Sequence, residues 1–147
     1  MGDHSISLRP ATEADFDYIL DLSIRTMREH LERVGRFDPG RRRSRMRAHL
    51  DAGSLHLIDR DGVVLGCLGL YDRGAKKELH SVFLEPALQG RGLGAEIFAA
   101  LRALHPGHGW WMEVLKESPA RRFWERQGFV QTGEQPFDWI LELPATS

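Results

Sequence analysis

The sequence predicts a mixed α/β domain in which helices cover both faces of a single sheet. Residues 54–86 hold three strand patterns in succession, separated by turn signals. Helix and strand patterns then alternate along the rest of the chain, which indicates a mixed sheet with helices on its faces. The chain has 147 residues, enough to bury a core, and we expect residues 1–147 to form a single domain.

The N-terminal elements are predicted to be one strand and two helices. A short strand is expected at residues 6–10. A helix is expected at residues 11–34, where Thr12 can cap the N-terminus and the apolar residues recur with helical spacing. A second helix is expected at residues 37–53, with Asp38 as its N-cap and a proline at its first position.

The three successive strands follow. Residues 54–72 are predicted to form a hairpin around Asp61-Gly62, a residue pair that suits a tight hairpin turn. The next strand lies in residues 76–86, and a proline at its end stops it.

The remaining elements alternate between helix and strand. An apolar helix follows the three glycines at positions 90, 92 and 94, and the segment GWWMEVL is a strand. A short helix begins near Ser118 and closes before Gly128, since serine is a good N-cap and glycine a good C-terminal residue. The last hairpin is expected at residues 129–143.

The glycine turn before the apolar helix predicts an anion site. The first-turn N–H groups of a helix have no helical partners, and the absence of Cβ atoms lets a phosphate oxygen reach them. Gln89 and Arg91 add side-chain donors. One alternative is a surface turn with incidental glycines. Another is a dinucleotide-binding protein, because Gly90, Gly92 and Ala95 fit G-x-G-x-x-[GA], but five residues separate this turn from its strand and three strands precede it.

Two segments resemble a known family. LHSVFLEPALQGRGLG resembles motif A of the GCN5-related N-acetyltransferases (GNAT family), with Gln89, Gly92 and Gly94 at the fixed places of Q/R-x-x-G-x-G/A. MEVLKESPARRFWERQGF resembles the strand and helix that come next in that family, and the element order matches over about residues 5–143. The resemblance implies a mostly antiparallel central sheet, splayed in its middle, and transfer of an acetyl group from acetyl-CoA to a primary amine by direct attack on the thioester.

The resemblance also implies where the co-substrate binds. Backbone groups of one strand would bond the pantetheine arm like an added strand, and the amides of the glycine turn would hold the diphosphate. The implied cofactor-binding residues belong to that strand, the turn and the short helix: Val82, Phe83, Leu84, Gln89, Gly90, Arg91, Gly92, Leu93, Gly94, Ala95, Ser118 and Trp124.

The short helix departs from the family at two places. Ser118 stands where the family usually has asparagine, and Trp124 stands where it usually has a tyrosine that protonates the departing thiolate. Serine can keep the capping role, but an indole cannot act as an acid. We expect Trp124 to be an aromatic wall, and the departures leave open a catalytically weak acyl-CoA-binding module.

The candidate general bases are two strand glutamates. An amine acceptor is almost wholly protonated at neutral pH, so a group must accept its proton. Glu113 and Glu78 lie on neighbouring strands where family members carry a base. His80 shares a face with Glu78, although a histidine there is more often a hydrogen-bonded structural residue.

Composition restricts the partners and the compartment. The net charge of −1 argues against a nucleic-acid binder, and no apolar run or N-terminal signal indicates a membrane or secretion. The single cysteine suits a reducing cytoplasm. No metal site is expected, because His105 and His108 lie in a loop without a third ligand. We expect a cytoplasmic monomer or homodimer acting on a small molecule or peptide. The arginines of residues 41–47 are expected to form a solvated helix face, with attraction of acidic substrates or CoA phosphates as the alternative.

Overall fold

A computed structural model describes residues 5–145. The N-terminal segment, where no secretion signal was expected, therefore lies partly outside the described residues. The elements follow the predicted order: β1 Ser7–Pro10, α1 Phe16–Arg33, α2 Pro39–Asp51, β2 Leu55–Arg60, β3 Val63–Arg73, β4 Lys76–Leu84, α3 Leu93–Leu104, β5 Gly109–Leu115, α4 Ala120–Arg126, β6 Val130–Glu134 and β7 Asp138–Leu143. Two short 3-10 turns, Glu13–Asp15 and Pro86–Leu88, precede α1 and the glycine turn. No helix within residues 5–145 is long and apolar enough to cross a membrane.

The seven strands form one mixed sheet that is splayed in its middle. Their order is β1-β2-β3-β4-β5-β7-β6, and every neighbouring pair is antiparallel except β4 and β5. β4 and β5 run parallel but pair only from Lys76↔Gly109 to Glu78↔Trp111. Beyond these pairs the two strands separate, and a gap opens between them. The predicted fold class is therefore confirmed.

Helices cover both faces of the sheet. Side chains of successive strand residues point to opposite sides, and both faces carry apolar side chains that the helices bury. On one face α3 and α4 pack through residues such as Phe98, Leu101 and Trp124. On the other face α1 and α2 bury residues such as Phe16 and Met46. The glycine turn and α2 thus lie on opposite faces of the sheet.

Local signals account for most of the element ends. The Asp38 carboxylate accepts hydrogen bonds from the first amides of α2, at 2.9 and 3.2 Å. Ser118 Oγ accepts from the Ala120 amide at 3.1 Å, which confirms its capping role. Asp61 and Gly62 both have positive φ, 52° and 80°, as a type I′ turn requires. Thr12 caps the 3-10 turn that leads into α1 rather than α1 itself.

A β-bulge interrupts β4 beside the gap. Cys67 on β3 pairs with Phe83 and Gly69 pairs with His80, so two residues of β4 oppose one of β3. Ser81 lies at this point with φ of 51°, and its carbonyl accepts from the Cys67 thiol at 3.6 Å. Bulges bend a strand and re-aim its side chains, and they are over-represented next to active sites.

Candidate active site

A cavity of about 240 Å³ occupies the gap between β4 and β5. Residues of β4 and β5 form its two sides, α4 and the start of β7 close one end, and the α1–α2 segment covers it. The cavity exists because β4 and β5 stop pairing after three residues. This places backbone groups of β4 at an edge without a strand partner.

The unpaired edge of β4 presents amide donors to the gap. The Glu85 amide donates to the Leu65 carbonyl on the β3 side, at 3.0 Å. Because successive N–H groups along a regular strand face alternate edges, the Leu84 amide faces the gap. The Gln89 side chain donates to the Leu84 carbonyl at 3.2 Å and so ties the glycine turn to the end of β4.

The glycine turn opens α3 with backbone that only glycine adopts readily. Gly90 and Gly92 have φ of 79° and 77°, and a Cβ built on either would meet nothing within 4 Å. Gly94 is different, because a Cβ there would lie 2.8 Å from the Phe123 ring. The absence of a side chain at Gly94 therefore lets the Phe123 ring of α4 pack directly against the start of α3.

Of the two predicted bases, Glu113 is the one that forms no ion pair within the described part of the chain. Its carboxylate reaches the cavity from β5, and burial raises its pKa, with the nearby Asp138 carboxylate adding to the rise. The positive charge of Arg45 acts in the opposite direction and lowers the pKa of Glu113, but the two side chains do not form an ion pair. A carboxyl group with a raised pKa is better matched to general-base work near neutral pH.

Glu78 also lines the cavity, but an arginine occupies its carboxylate. Arg73 Nε and Nη2 both donate to Glu78 Oε1, at 3.0 and 2.8 Å. The structure therefore brings both predicted glutamates to one cavity and leaves Glu113 the freer of the two.

His80 is a hydrogen-bonded strand residue. Its ring nitrogens lie 2.9 Å from Ser81 Oγ and 3.1 Å from Ser54 Oγ. Its ring stacks on Tyr71 at 4.9 Å and lies tilted against His49, with centroids 4.1 Å apart. Burial, reinforced by His49, lowers the pKa of His80 to about 3. The ring is thus neutral and weakly basic at pH 7, which favours the structural role.

Trp124 is a buried wall residue. Its indole is 6% exposed and stands edge-on to Phe98, Phe123 and Phe129, with ring centroids 5.5, 4.7 and 5.5 Å away. It also lines the cavity, as does Ser118. The position agrees with the expectation that Trp124 is an apolar aromatic wall.

The expectation of a solvated arginine face at residues 41–47 is wrong in part. Arg42 is only 9% exposed, and Arg41, Arg42 and Arg45 line the cavity together with Arg36. The helical spacing of these arginines could have shown a shared face, but no sequence pattern shows which face meets the sheet. Asp138 was missed because its place follows from the pairing of β5 with β7.

The comparisons with known proteins agree with this geometry. The family model of the acetyltransferase (GNAT) domain matches residues 51–131, more than half of the chain. The chain therefore belongs to the GNAT family of acetyltransferases, whose chemistry is acyl transfer from acetyl-CoA. No curated protein matches the sequence.

Solved structures of the same family share the fold at low sequence identity. PaiA N-acetyltransferase from Thermoplasma acidophilum, in complex with coenzyme A, has a TM-score of 0.73 and 16% identity, with 95% of this chain and 99% of that chain covered. A GNAT acetyltransferase from Streptococcus agalactiae has a TM-score of 0.76 and 14% identity, with 97% and 96% covered. N-acetylglutamate synthase from Neisseria gonorrhoeae, complexed with coenzyme A and L-arginine, has a TM-score of 0.64 and 19% identity, with 99% and 34% covered.

Proposed function

We propose that this protein transfers the acetyl group of acetyl-CoA to the primary amine of an acceptor, by direct attack of the amine on the thioester. The observation that carries the proposal is the gap between β4 and β5, which has an unpaired strand edge on one side and a glycine turn at its end. We also propose that residues 1–147 form one domain, since a single sheet extends through the described chain.

The co-substrate would bind along this edge and turn. Amides of Val82 and Leu84 would pair with the pantetheine arm, as an added strand pairs with a sheet edge. The N-terminal amides of α3 would hold the diphosphate, because the macrodipole favours negative charge there. Gln89 would keep the turn in place through its bond to the Leu84 carbonyl, and Arg91 would add a positive charge.

The reaction requires a neutral amine and a stabilised oxyanion. Glu113 would accept the ammonium proton, directly or through water, and Glu78 would assist from the neighbouring strand. The amine nitrogen then bonds to the carbonyl carbon, and a further backbone amide of β4 would donate to the oxygen as negative charge develops there. When the C–S bond breaks, the thiolate leaves without an acid, since a thiol with pKa near ~8.5 gives a tolerable leaving group. The second proton of the amine nitrogen passes to water as the amide forms.

A shift in thermal stability tests the co-substrate site. Acetyl-CoA at 100 times its dissociation constant should stabilise the protein by about 2.7 kcal/mol, whereas NAD should not. Gly92→Asp should abolish this shift, because it places bulk and negative charge at the diphosphate. Gly74→Asp is the matched control. Gly74 also has a positive φ, 75°, and open space where a Cβ would lie, but it belongs to the β3–β4 turn at the other end of β4.

A folded Gly92→Asp protein that keeps the full acetyl-CoA shift would contradict the site. Turnover is tested separately, by thiol release from acetyl-CoA with a panel of amines. Tight acetyl-CoA binding without turnover of any amine would favour the acyl-CoA-binding module instead.

A further inference from the structure

The face of α2 that covers the cavity is a row of basic side chains. Arg41, Arg42, Arg45 and His49 recur at helical spacing and all line the cavity, and Arg36 joins them from the segment before α2. Arg43 and Arg47, on other sides of the helix, instead contact the Phe16 ring. α2 therefore directs a specific subset of its arginines at the cavity.

Arg42 is a buried cation that has no anionic partner among residues 5–145. Its side chain lines the cavity at 9% exposure, and its Nε has no hydrogen-bond partner among residues 5–145. Its Nη2 contacts Met46 Sδ at 3.7 Å, and its guanidinium carbon lies 5.9 Å from the centre of the Phe83 ring. Burial, with Arg45 nearby, lowers the pKa of Arg42 to about 10, so the guanidinium stays charged at pH 7. A buried charge without a partner is costly, which makes this guanidinium a strong anion receptor.

The other cavity arginines are also unpaired. Among the described residues, none of Arg36, Arg41 and Arg45 forms an ion pair, whereas Arg47 binds Glu13 and Asp51. Acidic side chains are present in the same cavity, but Glu113 and Asp138 have no cationic partner within ion-pair distance in this part of the chain. The cavity thus has a positive wall and a negative wall, and although Arg45 lowers the pKa of both carboxyl groups, no ion pair joins the two walls within residues 5–145.

We infer that the acceptor is a small amine that also carries a carboxylate or a phosphate-type group, with the anionic group bound by Arg42 and Arg45 and the amine directed at Glu113. This inference rests on the proposed function. A guanidinium matches the planar pair of oxygens of either anion with two parallel hydrogen bonds. The carboxylate wall would attract the ammonium form and then take up its proton.

The phosphates of the co-substrate do not account for these arginines. The glycine turn that would hold the diphosphate opens α3, and α3 lies on the opposite face of the sheet from α2. The arginines on α2 therefore meet the acceptor side of the cavity, where the bulge of β4 and the base on β5 also lie.

Paired acceptors test the inference. Each acid would be compared with its neutral counterpart under saturating acetyl-CoA: free amino acids with their amides, and 2-aminoethylphosphonate with ethanolamine. We expect kcat/KM to be at least about tenfold higher for the charged member, the effect of one charge-assisted hydrogen bond. The carboxylate and phosphonate arms show which anion is preferred. Thermal stabilisation by each compound in the presence of CoA gives a second readout that needs no turnover.

Variants of α2 assign the effect to the arginines. Arg45→Gln and Arg42→Met should raise KM for the charged acceptors about tenfold or more and leave the neutral ones nearly unchanged. Arg43→Gln is the matched control on the same helix and should alter neither. Arg42→Met should also raise the Tm of the free protein, because it removes an unpaired buried charge.

Four results would overturn the inference. Neutral amines could be preferred, or neither class could turn over or stabilise the protein. The preference for acids could also survive both variants. Finally, Arg42→Met could weaken acetyl-CoA binding instead of acceptor binding, which would assign the arginines to the co-substrate. The first two results leave the acetyl-CoA thermal shift untouched, so they are distinguishable from a failure of the proposed co-substrate site.

Discussion

Trp124 offers a quantitative test of how α4 is held against the sheet. Its indole is 6% exposed and contacts three phenylalanine rings in edge-on geometry. Replacing it with alanine removes the ring from the centre of this aromatic cluster. α4 is a short helix of seven residues, so little else can compensate for the loss.

The expected cost follows from the buried area. A buried tryptophan removes roughly 150–250 Å² from water, which at about 25 cal/mol/Å² corresponds to roughly 4–6 kcal/mol. Compactness of the unfolded chain lowers this figure, so we expect Trp124→Ala to reduce the free energy of unfolding by about 3–5 kcal/mol. Trp124→Phe keeps most of the ring contacts and should cost less than half of that.

Equilibrium urea unfolding of the purified variants measures these costs. Trp139→Ala is the matched control, because this half-buried tryptophan lies under the cations of Lys116 and Arg121 and should lose much less stability. A cost below about 1 kcal/mol for Trp124→Ala, or one no larger than that of Trp139→Ala, would refute the burial argument. Trp124→Tyr tests the chemistry: a tenfold rise in kcat, equivalent to ~1.4 kcal/mol, would show that a missing acid limits the enzyme.

Three further outcomes are expected. Glu113→Gln should lower kcat by roughly 10²–10⁴-fold and remove the acid limb of the pH profile of kcat/KM. In the parent protein this limb should lie above the ordinary range of a glutamate, because the pKa of Glu113 is raised. An unchanged pH profile would exclude Glu113 as the base. Gly94→Ala should lower the free energy of unfolding by about 1–3 kcal/mol, because the new methyl group would meet the Phe123 ring. An unchanged midpoint of urea unfolding would contradict the close packing of α3 and α4. The pKa of His80 is about 3 in the folded protein and near ~6.5 in the unfolded chain, so between these values the unfolded chain binds more protons and stability falls as the pH drops. This histidine should therefore cost the protein about 2 kcal/mol of stability between pH 7 and 5. His80→Gln should remove this loss, whereas equal losses in both proteins would argue against the burial of His80.

The order and ends of the elements could be predicted because local chemistry sets them. Asp38 and Ser118 satisfy helix amides, and Asp61-Gly62 adopts the positive φ values of its turn. These features depend on a few neighbouring residues and not on the rest of the fold. The splayed pair of central strands came from the family resemblance, since no local pattern marks where β4 and β5 stop pairing.

The charges of the cavity could not be predicted for a related reason. Arg42 sits in a helix so rich in arginine that its sequence shows no clear apolar face, and its burial follows from how α2 docks on the sheet. Asp138 reaches Glu113 only through the register of β5 with β7, where Glu113 opposes Ile140, two residues along β7. Side chains that meet across distant elements leave no trace in the spacing of one segment.

A crystal structure of the protein with acetyl-CoA would test the central claim most directly. We predict that the pantetheine arm lies in the gap and bonds to the amides of Val82 and Leu84, with the diphosphate at the amides of residues 90–95. The acetyl carbonyl should lie within hydrogen-bond distance of a further β4 amide and beside Glu113. A cofactor bound elsewhere, or a thioester remote from Glu113, would contradict the proposed site.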